Sequence, residues 1–370
     1  MIDVRPVTDR SSLRRFIDLP YSLYRGHTHW VPPLRLSEWD QFSQKKNPFC
    51  AVAEMDLFIA WEGERVVGRV AAIDDRRHNE RHKDNIGAFG FFEAESPEAA
   101  SALLGRVEQW AVARGRTSVR GPLNPSLNYS AGFQIDAFDT DPYLMMPWNP
   151  PEYPEAVERA GYGKAKDLYC WLLDVQQAPE ARLVSLAERL RRRHKIVIRP
   201  LNTHDVWSET EKLHAVYCEA WKDNWGFVPP TKEEFAHIVK DLKQIVMPDA
   251  ALAAEVDGRP VGCAVALPDI NQVLKPTDGR LLPSGLIRLL LRRFIVTRFR
   301  IVLVGVVDDY RGTGVLPLLM LSLVQAAKKI GWRWAECSWT LEDNEAVNRA
   351  LSRGGATRYK TYRVYEKRVG

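Results

Sequence analysis

The densest chemistry in the chain stands between residues 304 and 317, in Val-Gly-Val-Val-Asp-Asp-Tyr-Arg-Gly-Thr-Gly-Val-Leu-Pro. The apolar run ending at Val306 and Val307 reads as a buried strand. Arg311-Gly312-Thr313-Gly314 reads as a tight turn, and Val315 opens a long amphipathic helix. That order makes an anion cradle. Glycines let the backbone approach a ligand, and the first amides of a helix have no intrahelical acceptor and point at it. A pyrophosphate is the natural occupant. The pattern is neither a Walker P-loop, which needs Gly-Lys-Ser/Thr, nor a GxGxxG fingerprint.

Metal chemistry is not expected. His78 and His82 stand four apart, but Glu80 is third where H-E-x-x-H needs it second, and no third ligand is evident. Cys50, Cys170, Cys218, Cys263 and Cys337 are odd in number, far apart and form no C-x-x-C pair. This argues against a zinc finger or a disulfide framework and fits a reducing cytoplasm. The first residues carry no apolar core of a signal peptide, and no stretch reaches the roughly 18 apolar residues of a spanning helix.

The elements that must hold the cradle occur twice. Tyr24-Arg-Gly-His-Thr-His-Trp-Val-Pro-Pro33 matches Trp221-Lys-Asp-Asn-Trp-Gly-Phe-Val-Pro-Pro230. Each is followed by a hairpin, over 57–72 and 252–266, with Glu-Gly or Asp-Gly between two apolar runs. Gly63 and Gly68 match Gly258 and Gly262, apart from one residue of slippage. A strand and a helix follow in each half: 86–92 and then 97–114, 301–307 and then 315–330. Each half then has a further strand, a short helix and a closing strand, over 167–173 or 358–365. The pattern predicts an α/β protein with mixed sheets, built from two units of about 170 residues. The expected boundaries are 1–176, a linker helix over 177–194, and 195–370. The arginines at 191–193 suit the C-terminal end of that helix.

Arg311, Gly312, Thr313 and Gly314 resemble, in order and context, the acetyl-CoA motif R/Q-x-x-G-x-G/A of the GNAT acyltransferases. The departure is at the last small position, where Leu316 and Pro317 stand. The resemblance covers about residues 195–370. It implies that Val306, Val307, Arg311 to Gly314 and Val315 bind acetyl-CoA or a longer acyl-CoA, with Asn344 contacting it after the next strand. The first half resembles the same fold but has Ser96-Pro-Glu-Ala-Ala in place of the loop. It reads as a degenerate copy without the co-substrate.

The implied reaction is acyl transfer from the CoA thioester to an amine acceptor in a cleft between the two domains. A general base must reach the ammonium proton, and an acid can protonate the leaving thiolate. Asp308, Asp309 and Glu336 are the candidate bases. The two aspartates have an equally plain reading as a solvated turn beside a helix N-terminus. The family's usual acid, a tyrosine, is replaced by Leu351, which leaves Tyr359, Tyr362 and Tyr365 as candidates, with Tyr362 put forward here. As plain structure these are strand-forming aromatics.

The remaining features bound the partners. The chain has 370 residues, 52 basic against 47 acidic, and a net charge of +5, too mild a bias to expect DNA. From Arg280 to Arg300 there are six arginines and no acid. Arg288, Arg292 and Arg293 fall on one face of an expected helix. That helix is read as packed on the second domain with its arginines in water. Its alternatives are a lid, an anionic membrane surface or a tRNA backbone. Two other functions stay open: an aminoacyl-tRNA-dependent FemX-like transferase, and a non-catalytic CoA-binding sensor.

Overall fold

A computed structural model describes residues 1–179, 184–185, 195–202 and 205–370. The linker helix expected over 177–194 lies almost wholly outside the described residues. The chain forms two compact units, and neither is continuous. The first holds Met1–Leu168, Val273–Leu289 and Lys360–Gly370; the second holds Tyr169–Gln272 and Leu290–Tyr359.

The first unit opens with β1 (Ile2–Pro6), α1 (Arg10–Leu23) and α2 (Arg35–Gln41), then the hairpin of β2 (Glu54–Glu62) and β3 (Arg65–Asp74). It continues through α3 (Arg76–His82), β4 (Ile86–Ala94), α4 (Pro97–Ala113) and β5 (Ser118–Gly121). Short strands β6 (Leu123–Asn124), β7 (Ser130–Ala131) and β8 (Phe133–Gln134), then α5 (Glu152–Arg159) and β9 (Gly163–Asp174), follow. The helix ends are written in the sequence. Ser96 accepts from the amide of Ala99 and Pro97 takes the first turn of α4.

The second unit takes β9 from Tyr169 on, then β10 (Val197–Pro200), α6 (Val206–Trp221), α7 (Lys232–Leu242) and the hairpin of β11 (Ala251–Val256) and β12 (Arg259–Pro268). Short helices α8 (Asn271–Leu274), α9 (Ser284–Leu290) and α10 (Arg292–Ile295) lead to β13 (Arg298–Val306). Then come α11 (Val315–Ile330), β14 (Trp334–Leu341), α12 (Glu345–Arg353) and β15 (Thr357–Arg368).

The strand order is β1-β2-β3-β4-β5-β15 in the first unit and β9-β14-β13-β12-β11-β10 in the second. β4–β5 in the first unit and β13–β14 in the second are parallel, and the hairpin strands and their neighbours are antiparallel. Equivalent glycines seat equivalent helices. A Cβ on Gly68 would lie 2.7 Å from Leu103 of α4, and one on Gly262 would lie 2.9 Å from Val315 of α11. Strand side chains alternate in direction, so the neighbouring residues face the other way. There Arg69 reaches the carbonyl of Phe16 in α1, and Gly305, opposite Cys263, meets Trp221 of α6. Each sheet is thus covered on both faces.

Two arrangements differ from the sequence reading. The strand expected to close the second half supplies its residues from Lys360 on to the first unit, where Tyr365 to Arg368 pair with Gly121 to Ser118. β15 is twelve residues long and four of them, Tyr365 to Arg368, pair with β5. The stretch 273–289 also belongs to the first unit, so of the helical segment expected over 285–296 to pack on the second domain only the residues from Leu290 on lie in the second unit. Lys275 pairs with Asp141 at 2.7 Å, and the amide of Arg35 donates to the carbonyl of Gly279. Among the described residues, no helix is long and apolar enough to cross a membrane.

Candidate active site

β13 is bent at one place. Its register with β12 slips between Val265 and Ala266, which leaves Val302 as an extra, bulged residue. Its parallel register with β14 runs from Arg298 and Trp334 to Ile301 and Cys337 and ends there. The strands part where the bulge sits. Beyond it, β13 keeps its strand pairing with β12. Val307 donates its amide to the carbonyl of Val261, and in an antiparallel ladder such pairs recur at every second residue. Gly305 and Leu303 therefore turn their amides and carbonyls to β12. Val304 and Val306 turn theirs to the side that β14 has left.

The turn beyond β13 has the geometry its glycines permit. Gly312 has φ +76° and Gly314 φ +103°, both left-handed. Gly314 caps α11 without any side-chain hydrogen bond, so the first amides of the helix are left for a ligand. Thr313 ties the turn internally, its hydroxyl donating to the carbonyl of Tyr310 at 2.7 Å. Arg311 donates to the carbonyl of Ala220 at 2.9 Å and pairs with Asp308 at 2.9 Å. Asp308 also pairs with Lys222 at 2.7 Å. The Lys222 hydrogen bond, with Arg311 beside it, holds the carboxyl of Asp308 below the usual carboxylate range. That makes it a weak proton acceptor and a strut for the Arg311 side chain.

Glu336 lies at the root of the opening, in register with Arg300 one residue before the strands separate. It is 1% exposed. Ser338 donates to it at 2.6 Å, and the hydroxyl of Tyr359 donates to its other oxygen. Arg300, also buried, donates to Ser338 at 2.8 Å and stands 3.9 Å from Glu336. A buried carboxylate and guanidinium are thus held together, with the half-buried phenol of Tyr359 against the carboxylate. Burial pushes the thiols of Cys263 and Cys337 up to about 12, so neither is a ready nucleophile.

The sequence candidates separate accordingly. Val306, Val307, Arg311 to Gly314, Val315 and Asp308 cluster at the end of β13, and Glu336 stands on the neighbouring strand. Asn344 caps α12 by accepting from the amide of Val347 at 3.3 Å. Tyr362 stands in the other unit. It is wholly buried in the first unit and donates its hydroxyl to the carbonyl of Pro147 at 2.9 Å. Tyr359, three residues earlier, is the tyrosine that reaches Glu336. Arg300 and Ser338 were not singled out from the sequence. Arg300 stood there only within a run of arginines, and its pairing across a parallel strand has no local signal.

The first unit has the same divergence but fills it. The β4–β5 register ends at Ala88 and Arg120. The amide of Phe91 then donates to the side chain of Asn124 at 2.6 Å. A Cβ on Gly90 would lie 1.7 Å from the carbonyl oxygen of Leu123. The chain itself occupies the gap. His78, in the same unit, lies 3.0 Å from Asp84 and 3.3 Å from Arg120. Among the described residues, no three His, Cys, Asp or Glu side chains come together as metal ligands.

No family model matches the chain. Protein YghO of Escherichia coli (strain K12) is 35% identical over 99% of this chain and 95% of its own length. A bacterial ceramide synthase of Caulobacter vibrioides is 35% identical over 99% of this chain and 97% of its own length. Among solved structures, a tandem GNAT protein from the clavulanic acid biosynthesis pathway superposes with a TM-score of 0.59 at 12% identity, covering 100% of this chain and 99% of its own. A GCN5-related N-acetyltransferase from Sphaerobacter thermophilus gives 0.52 at 13% identity, covering 99% and 95%. The two full-length relatives and the shared fold lead to one assignment: the chain belongs to the same family as YghO and the bacterial ceramide synthase, a family of tandem GNAT-fold proteins.

Proposed function

We propose that the protein is an N-acyltransferase that moves an acyl group from acyl-CoA to an amine. The observation that carries this reading is the parting of β13 from β14 after Ile301 and Cys337, with the Arg311–Gly314 turn at its far end. Val304 and Val306 offer backbone groups to a pantetheine arm, and the turn and the first amides of α11 suit a pyrophosphate. The nitrogen of the acceptor attacks the thioester carbonyl, the C–N bond forms and the C–S bond breaks. Glu336 takes the ammonium proton, and Tyr359 supplies one to the leaving thiolate, so the net proton transfer is from nitrogen to sulfur. The relative named as a ceramide synthase bears on the acceptor. A ceramide carries its acyl group on the nitrogen of a long-chain amino alcohol, and that class of amine with a long acyl donor is our reading here.

The test is a titration of the full chain with CoA and acyl-CoAs of increasing length, followed by thiol release in the presence of short amines and long-chain amino alcohols. Binding that is lost in the Arg311→Ala, Gly314→Val double variant, with thiol release dependent on the amine, is expected. Absence of CoA binding by the native chain overturns the donor. Binding without thiol release from any amine overturns the transferase in favour of a CoA sensor.

A further inference from the structure

Large apolar side chains are exposed mostly in one stretch of the chain. Eleven are more than about a third exposed among the described residues, and six of them are Leu282, Leu286, Ile287, Leu290, Leu291 and Phe294. Leu282, Leu290 and Phe294 are each about 70% exposed. The sequence reading had these aliphatics packed, with only the arginines in water. The structure leaves both in water. A folded chain rarely concentrates apolar surface in this way unless something covers it.

The charges in the stretch point to what covers it. No acid occurs from Gly279 to Val307. Of the arginines there, Arg298 is paired with Asp269 and Arg300 is buried with Ser338 and Glu336. Arg280 and Arg293 are exposed. Arg288 donates to the carbonyl of Val273, a bond that leaves its charge standing. Leucine, isoleucine and phenylalanine interleaved with arginine on short helices is the composition of a segment that lies in a membrane interface. Its apolar side chains enter the acyl boundary and its guanidinium groups meet lipid phosphates. A second copy of the same stretch would set arginine against arginine with no carboxylate to offset them.

We propose that the stretch from Leu282 to Phe294 docks the protein on the surface of an anionic phospholipid bilayer. The proposal rests on exposure and charge and does not depend on which amine, if any, is acylated.

The experiment is co-sedimentation of the full chain with phosphatidylcholine vesicles, with and without a third of phosphatidylglycerol. Two double variants accompany it: Leu290→Ser with Phe294→Ser, and Arg280→Gln with Arg293→Gln. All four positions are exposed and outside the proposed catalytic machinery, and circular dichroism checks that the variants fold. The native chain should bind the anionic vesicles at least about tenfold more tightly than the neutral ones. The apolar double variant should lose binding by roughly thirtyfold or more. The arginine double variant should lose roughly tenfold on the anionic vesicles and little on the neutral ones. The proposal is overturned if the native chain binds neither vesicle, or if both double variants bind as it does. It is equally overturned if the native chain is a dimer that the apolar double variant dissociates, which would make the patch a self-association surface.

Discussion

The indole of Trp221 lies directly over the α-carbon of Gly305, so close that a Cβ at Gly305 would stand 2.1 Å from the ring. The equivalent pair in the first unit is Tyr24 and Glu93. There the phenol donates to the carboxylate and also meets Tyr153 at 2.7 Å. The two pairs fill the same place in each repeat by opposite means. One uses a large ring over no side chain, the other a smaller ring hydrogen-bonded to an acid. The match between Tyr24 and Trp221 came from the sequence repeat, and the packing of both on the bent strand agrees with it.

Gly305→Ala should therefore overpack the site and lower stability by about 1–3 kcal/mol. Trp221→Leu opens the space. The double variant should recover part of the loss, giving a coupling of about 0.5–3 kcal/mol in urea unfolding. Additive losses would show that the ring does not set the requirement for glycine.

Glu336→Gln keeps the shape of the buried network and removes its proton acceptor. The expected fall in kcat is about 10²–10⁴-fold with folding retained. Tyr359→Phe should also lower kcat. Asp308→Asn should leave kcat near the native value and raise KM for the donor, because its partner Arg311 borders the turn. A large fall in kcat for Asp308→Asn would move the base to that residue.

A pH test bears on the first unit. Burial of Asp167 works to raise its pKa, but hydrogen bonds from Arg363 at 2.7 and 3.0 Å and the ion pair with Lys164 outweigh it and hold it below the usual carboxylate range. A depressed pKa stabilises the fold fully above the unfolded value, about 3.9, and the contribution is lost as the pH falls through the folded value. Asp167→Asn should cost about 1–3 kcal/mol at neutral pH. It should also flatten the decline in stability below pH ~4, as measured by urea midpoints across the acid range.

Asn124→Ala should leave the amide of Phe91 without the acceptor it has in the filled gap of the first unit. The expected cost is about 1–3 kcal/mol. CoA binding by the second unit should be unchanged. If binding doubled in stoichiometry, the gap in the first unit would be a second CoA site held shut.

Much of this was legible because it is local. Both hairpins follow from a turn glycine between apolar runs. The span of α11 follows from Gly314 before it and Gly331, with φ +93°, after it. The anion turn was readable because left-handed glycines and a helix start are written in consecutive residues. What was missed is non-local. Nothing around Lys360 in the sequence says that the strand leaves one unit for another. The tyrosine that meets Glu336 could not be chosen either. Tyr359 and Tyr362 stand on the same strand, and only the exchange puts the second in a different core. The exposed aliphatics of α9 carry an amphipathic pattern that reads as core, whereas the structure leaves Leu286, Ile287 and Leu290 exposed.

The placement of residues 360–370 has a consequence for how the molecule is made. Most of the first unit leaves the ribosome first, yet β5, paired with β4 on one side, receives its partner on the other only when residues 365–368 emerge. At ~5–20 residues per second, the intervening synthesis takes on the order of ten seconds or more. Throughout that time the edge of β5 away from β4 stays unpaired and open to the wrong partner. A nascent chain cut short before Lys360 would thus leave the first unit without its closing strand, so completion of the earlier unit waits on synthesis of the later one.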